Sequence, residues 1–197
     1  MYAKRLIFVL AIFAVATAVS AQVSLGLKGG INLSNVYGDD VSNTDAKIGF
    51  HAGILADFEF SYNSAIQSGL IFTTKGYKGG DEVKANSMYL QLPVHYAYKL
   101  DVSPGTRIVF HGGPYAAYGV GGKITNGVEM DIFGDEGFFK RFDAGLGIGV
   151  GAEFGPMILD LGWDFGLLDI VDDDFFDEFD TGSVKNKSAY LSIGYKF

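Results

Sequence analysis

The sequence predicts an all-β chain, an eight-stranded antiparallel up-and-down transmembrane β-barrel. Three observations predict it. Apolar residues hold one parity from Val23 to Phe197, as where Phe142, Ala144, Leu146, Ile148 and Val150 alternate with Asp143, Gly145, Gly147, Gly149 and Gly151. A period of two marks strands with two chemically different faces. The chain opens on an export-type segment, and its last strand stops on the aromatic Phe197. With 28 Gly and 15% aromatic residues, the composition suits strands better than helices.

The first segment is read as a signal peptide over 1–21. Lys4 and Arg5 form a positive start, Leu6 to Ala18 is apolar, and Val19-Ser20-Ala21 supplies the small residues a signal peptidase reads, with cleavage after Ala21. The apolar run is short for a membrane helix, and no later stretch of about 18 apolar residues exists. The barrel domain is then 22–197, one domain by its length. Removing Lys4 and Arg5 takes the formal charge from −8 to −10. So acidic a chain excludes nucleic acid as a partner, since phosphate binding needs a basic stripe. Cysteine is absent, which excludes disulfides, thiol catalysis, cysteine-ligated metals and a lipid-modified amino terminus.

Eight strands are expected at 23–34, 46–60, 65–75, 87–100, 106–120, 141–154, 157–168 and 187–197. Three connections are tight and carry turn residues: Ser61-Tyr62-Asn63, Ser103-Pro104-Gly105 and Gly155-Pro156. The other four, near 35–45, 76–86, 121–140 and 169–186, are longer and rich in Gly, Asp and Asn. Short turns at one end and long loops at the other are the plan of bacterial outer-membrane barrels.

The faces decide between a soluble and a membrane barrel. The polar parity is crowded with glycine (Gly26, Gly30, Gly49, Gly53, Gly69, Gly113, Gly162, Gly166, Gly194 and four more in 145–151). A narrow eight-stranded interior needs small residues, and a solvated face does not. The apolar parity gathers aromatics at both strand ends: Phe58, Phe60, Tyr96, Tyr98, Phe154 and Tyr195 at the short turns, and Phe50, Phe72, Tyr118, Phe142, Trp163 and Phe165 toward the long loops. Such belts suit the two headgroup regions, so the partner of the outer face is outer-membrane lipid. On this reading Ile148 faces hydrocarbon, and Gly147→Ser, facing a lumen, is to be judged by the space there and is mild only where the lumen has room.

Several motifs, in order, resemble the PorT-type outer-membrane β-barrel family of Gram-negative bacteria, akin to the small OmpX and OmpA-type barrels. They are Gly26 to Ser34 (GLKGGINLS), Tyr89-Leu90-Gln91-Leu92-Pro93-Val94, Gly112-Gly113-Pro114-Tyr115, Arg141 to Gly147 (RFDAGLG) and Leu191 to Phe197 (LSIGYKF). The resemblance covers essentially the whole chain after the signal segment. It implies an outer-membrane barrel with no shared catalytic residues and no general substrate, some relatives being tied to protein secretion. It also implies that Leu191, Ile193, Tyr195 and Phe197 form a signal read by the barrel-assembly machinery.

Chemistry-bearing groups are sparse, and no catalytic, cofactor-binding or metal residue is assigned. His51, His95 and His111 all fall on the interior parity, with no serine that stands out beside them as a hydrolase would need. The acidic run from Asp169 to Asp180 lacks the spacing of a calcium loop and reads as a solvated loop. Interior charges of both signs are expected at Lys28, Lys47, Asp57, Glu59, Lys75, Lys99, Arg107, Arg141, Asp143, Glu153, Asp160, Asp164 and Lys196. If the fourth hairpin turns near Ser103, His95 and His111 stand directly opposite one another as a lumen pair. Two classes of function follow. One is a barrel plugged by its own side chains, structural or interacting through its long loops with a partner the sequence does not name. The other is a narrow pore, a secretion accessory or a lipid-active enzyme.

Overall fold

The computed structural model describes residues 22–38, 44–79, 83–126, 128–133, 139–171 and 183–197. The expected signal segment, with its cleavage residue Ala21, lies outside the described residues. The period-two pattern forms nine strands: β1 (Gln22–Gly38), β2 (Thr44–Ser61), β3 (Ser64–Gly79), β4 (Val83–Ser103), β5 (Thr106–Asn126), β6 (Val128–Asp131), β7 (Phe142–Phe154), β8 (Met157–Gly166) and β9 (Val184–Lys196). All except β6 close into an eight-stranded antiparallel barrel, in which β9 pairs back on β1 from Gly26↔Lys196 to Gly38↔Val184. Closure leaves no open edge, as hydrocarbon demands, because lipid offers no partner to an unpaired backbone group.

The tight turns are set by glycine at two points. Gly105 takes φ +76° in the Pro104-Gly105 turn, and Gly155 takes φ +57° in the Gly155-Pro156 turn, a region costly for residues with a Cβ. At the opposite end the strands run further than expected. Among the described residues of the spans 76–86 and 121–140, strand continues through 76–79, 83–86, 121–126 and 128–131, with β3 reaching Gly79, β4 starting at Val83, and β5 reaching Asn126 before returning as β6. Their polar, glycine-rich composition cannot separate a loop from a strand standing in water. A tilted strand crosses the hydrocarbon in about 9–11 residues. The 10 residues of β8 are just enough, whereas the 21 of β4 and of β5 project well past it. β8 also stops at Gly166, two residues before the expected end.

Burial separates the faces cleanly. Along β8 every second residue is exposed from Met157 to Phe165, apart from the half-buried Ile158, while Asp160, Gly162, Asp164 and Gly166 are buried. The outer wall is a band of exposed apolar side chains that includes Leu146, Ile148, Leu161 and Ile193, while Asp57, Asp143 and Ser34 are completely buried inside. This is the reverse of a soluble protein, and it is what a lipid-facing wall requires. Ile148 is 54% exposed near the middle of β7. Ile148→Arg is therefore expected to cost about 2–4 kcal/mol, read from urea unfolding in lipid vesicles.

Candidate functional site: a polar lumen closed at both ends

At the short-turn end the lumen is filled by a six-charge layer drawn from five strands. Lys99 on β4 sits 2.5 Å from Asp57 Oδ2, 2.7 Å from Glu59 Oε1 and 3.3 Å from Glu153 Oε1. Arg107 on β5 donates to Glu59 at 2.9 Å and to Glu153 at 2.7 Å. Lys196, from the last strand, reaches Asp57 and Glu153 at 2.5 Å each. Three cations thus meet three carboxylates, and each charge has an opposite partner. Removing one member of such a set leaves one charge of the layer uncompensated, at a cost of up to about 3–5 kcal/mol where the site is fully buried.

Toward the long loops, Lys75 lies 3.3 Å from Asp143 Oδ2 and stands over the Tyr115 and Tyr89 rings, 4.6 and 5.5 Å from their centroids. Asn186 donates to the same carboxylate at 3.0 Å. Above this layer Ile132 and Phe133, just past β6, fold inward onto Ala85, Tyr89, Tyr115 and Ala117. Phe133 meets Tyr89 edge-on at 5.6 Å. Nothing in the sequence marks these two residues as a cap, since a pair of apolar residues in a long loop has no period to read. Arg141, expected inside, is exposed at this rim instead, donating to the Gly119 carbonyl at 3.0 Å with its guanidinium 5.6 Å from the Phe133 ring centroid. It precedes β7, where strand parity no longer dictates direction. Lys47 is half-buried and donates to Asn86 at 2.6 Å.

Between the two closures lies a cavity of about 100 Å³, whose polar wall includes Lys28, His51, Gln91, His95, His111 and Asp164. The His95 and His111 rings stack with centroids 5.2 Å apart and planes 16° off parallel, their Nδ1 atoms 3.0 Å from each other. They are not directly opposed. The ladder pairs Ala97↔His111 and Tyr96↔Gly112, so the hairpin turns at Pro104-Gly105 rather than at Ser103 and the histidines are diagonal neighbours. The left-handed Gly105 sets that centre. Diagonal positions about 7–8 Å apart remain within reach of aromatic side chains. His111 Nε2 lies 2.9 Å from Asp160 Oδ1, and Asp160 also pairs with Lys28. The 3.0 Å separation is that of a direct hydrogen bond between the two rings.

One contact escaped the sequence. His51 Nε2 is 2.8 Å from Ser192 Oγ, a pair 141 positions apart that only the β2–β1–β9 adjacency brings together. Ser192 is 1% exposed and lies outside the cavity wall, so no ester carbonyl reaches its oxygen. The contact ties two strands across β1.

The interior glycines are matched to individual rings. A Cβ on Gly149 would stand 2.5 Å from His111 Nε2, one on Gly162 2.4 Å from the Tyr190 hydroxyl, and one on Gly145 2.8 Å from the Tyr115 ring. A Cβ on Gly147 would fall 2.7 Å from Asp164 Oδ1 and 2.8 Å from His95 Nε2. Judged by lumen space, Gly147→Ser is therefore not mild: the lumen has no room there. Leu191, Ile193, Tyr195 and Phe197 occupy the lipid face of the closing strand and its terminus, and Phe197 N donates to Leu25 O at 2.8 Å. In the acidic run, Asp169 Oδ1 accepts from Val171 N at 3.0 Å and Val184 N at 3.1 Å, pinning the neck of the last loop, while 172–180 lie outside the described residues.

The family model for the outer membrane protein beta-barrel domain matches residues 17–172. The chain belongs to that family. It is an outer membrane protein, as the apolar wall requires. Its fold is similar to that of Ail, the attachment invasion locus protein of Yersinia pestis, at 15% identity and a TM-score of 0.50 over 89% of this chain and 99% of that one. One structure of Ail is a complex with the heparin analogue sucrose octasulfate. Neisserial surface protein A is similar at 12% identity and a TM-score of 0.54, again over 89% and 99% of the two chains. These likenesses concern the fold alone. No curated protein matches the chain in sequence.

The ring-to-glycine fit yields a test within β5 and β7. Gly149→Ala should displace His111 from Asp160 and destabilise the barrel by about 1–3 kcal/mol, as overpacking does. Gly121→Ala, with nothing within 4 Å of the added carbon, should be close to neutral in the same urea titration.

Proposed function

We propose that this outer membrane barrel is a closed scaffold that works through its extracellular loops and passes no solute. The observation that carries this reading is the double closure of the lumen, by the six-charge layer at one end and by Ile132 and Phe133 over Tyr89 and Tyr115 at the other. Eight strands enclose an interior that side chains can fill, and here they leave about 100 Å³. The likeness to PorT-type barrels agrees with this, since it brings neither catalytic residues nor a general substrate.

With an even strand number both termini of the barrel chain, Gln22 and Phe197, lie on one side, and short turns face the periplasm in such barrels. The extended ends of β3, β4 and β5 then stand above the outer leaflet as a raised wall that carries the β3–β4 and β5–β7 connections. Seven of the twelve residues from Asp169 to Asp180 are acidic. A surface so charged repels a polysulfate of the kind bound to Ail, and it suits a cationic partner. Lipid around the wall and the assembly machinery at β9 complete the expected partners.

Purified protein in planar bilayers should show no steady conductance, and a sustained current on the nanosiemens scale would overturn the closed-scaffold reading. Protease added to intact cells should cut within 121–140 or 169–186. Cleavage that appears only after the outer membrane is opened would reverse the orientation.

A further inference from the structure

Hydrogen-bond logic in the mid-lumen leaves one lone pair and one charge unanswered. Asp160 pairs with Lys28 and is therefore a carboxylate, so it accepts at both oxygens and His111 Nε2 carries a hydrogen. With His111 neutral, its Nδ1 is bare and accepts, so His95 Nδ1 is the donor across the 3.0 Å contact. His95 Nε2 is then a bare acceptor. It is buried without any partner, as is Gln91 Oε1. Asp164, on the other side of the Gly147 notch, receives only a neutral amide, Gln91 Nε2 at 2.9 Å.

Charge points the same way. Among the described residues Asp164 forms no ion pair: Lys28 and Lys75, which act on it from farther off, are paired to Asp160 and Asp143. The side chains facing this centre are Lys28 from β1, His51 from β2, Gln67 from β3, Gln91 and His95 from β4, His111 from β5, Glu153 from β7, Asp160 and Asp164 from β8 and Tyr190 from β9. Lys28, His51 and Glu153 are already engaged with Asp160, Ser192 and the six-charge layer.

We propose that the mid-lumen is a proton-binding site, in which one proton is held between Asp164 and the His95–His111 pair. Gly147 sets its geometry: His95 Nε2 and Asp164 Oδ1 both lie within 2.8 Å of the single point where a Gly147 Cβ would stand. A proton there, directly or through water in the cavity, gives Nε2 its partner and Asp164 its countercharge. Gly147 keeps the gap open, and a side chain at that position would separate the two groups.

A group that binds a proton more tightly folded than unfolded contributes stability at low pH and loses it as pH rises through the folded pKa. For one extra proton in the folded state, the folding equilibrium constant should fall about tenfold per pH unit across that window. Urea unfolding of the wild-type barrel in vesicles between about pH 7 and 9, above the range in which histidines of the unfolded chain take up protons themselves, should show this fall. Asp164→Asn and His95→Gln should each remove it, and a slope that survives in both would overturn the site. Nitrogen-15 shifts of the histidines, read with the carboxyl carbon shift of Asp164, report the proton in the wild-type barrel even if the variants do not fold. A cationic imidazole pair or a protonated Asp164 at neutral pH supports the site. Two neutral imidazoles beside an ionised Asp164, or a flat pH profile, overturn it.

Discussion

A chain that crosses lipid as strands must leave no backbone hydrogen bond unmade, and the pairing of β9 with β1 is where this chain meets that demand. Closure on eight strands makes the interior narrow, and the narrowness dictates most of what lies inside. Several large side chains enter opposite glycine. His111 faces Gly149, Tyr190 faces Gly162 and Tyr115 faces Gly145, so the glycines of β7 and β8 are the mould of rings on neighbouring strands.

Filling that space with charge has a thermodynamic logic specific to the membrane. An apolar lumen would leave the chain apolar on both faces, without a signal to tell inside from outside, whereas one-residue parity makes the two faces unmistakable. Charges buried in this way rarely add net stability over an apolar packing, yet a misplaced one is expensive. The six-charge layer therefore acts on specificity: only the correct neighbour order brings Lys99, Arg107 and Lys196 onto Asp57, Glu59 and Glu153.

Much of this was legible from the sequence because parity is a local property. Strand existence, the lipid face, the tight turns and the interior place of Asp57, Lys99 and the three histidines all follow from alternation and turn residues. What was not legible depends on distance in the chain or on a single dihedral. The register of β4 against β5 turned on the left-handed Gly105, which moved His95 and His111 from opposite to diagonal. The His51–Ser192 contact and the Ile132–Phe133 cap need the closed barrel to be seen at all. The extra length of β4 and β5 was hidden because strands in water need no apolar parity.

Lys196 gives the layer a temporal dimension. It belongs to the last strand, yet it holds Asp57 on β2 and Glu153 on β7. Until β9 docks, the layer is short one cation and carries a net negative charge. Docking of β9 therefore does two things in one step: it seals the sheet and it neutralises the layer. A barrel closed in the wrong register would still have its hydrogen bonds but would leave the layer one cation short, so the final lysine ties the charge balance of the interior to the correct seam.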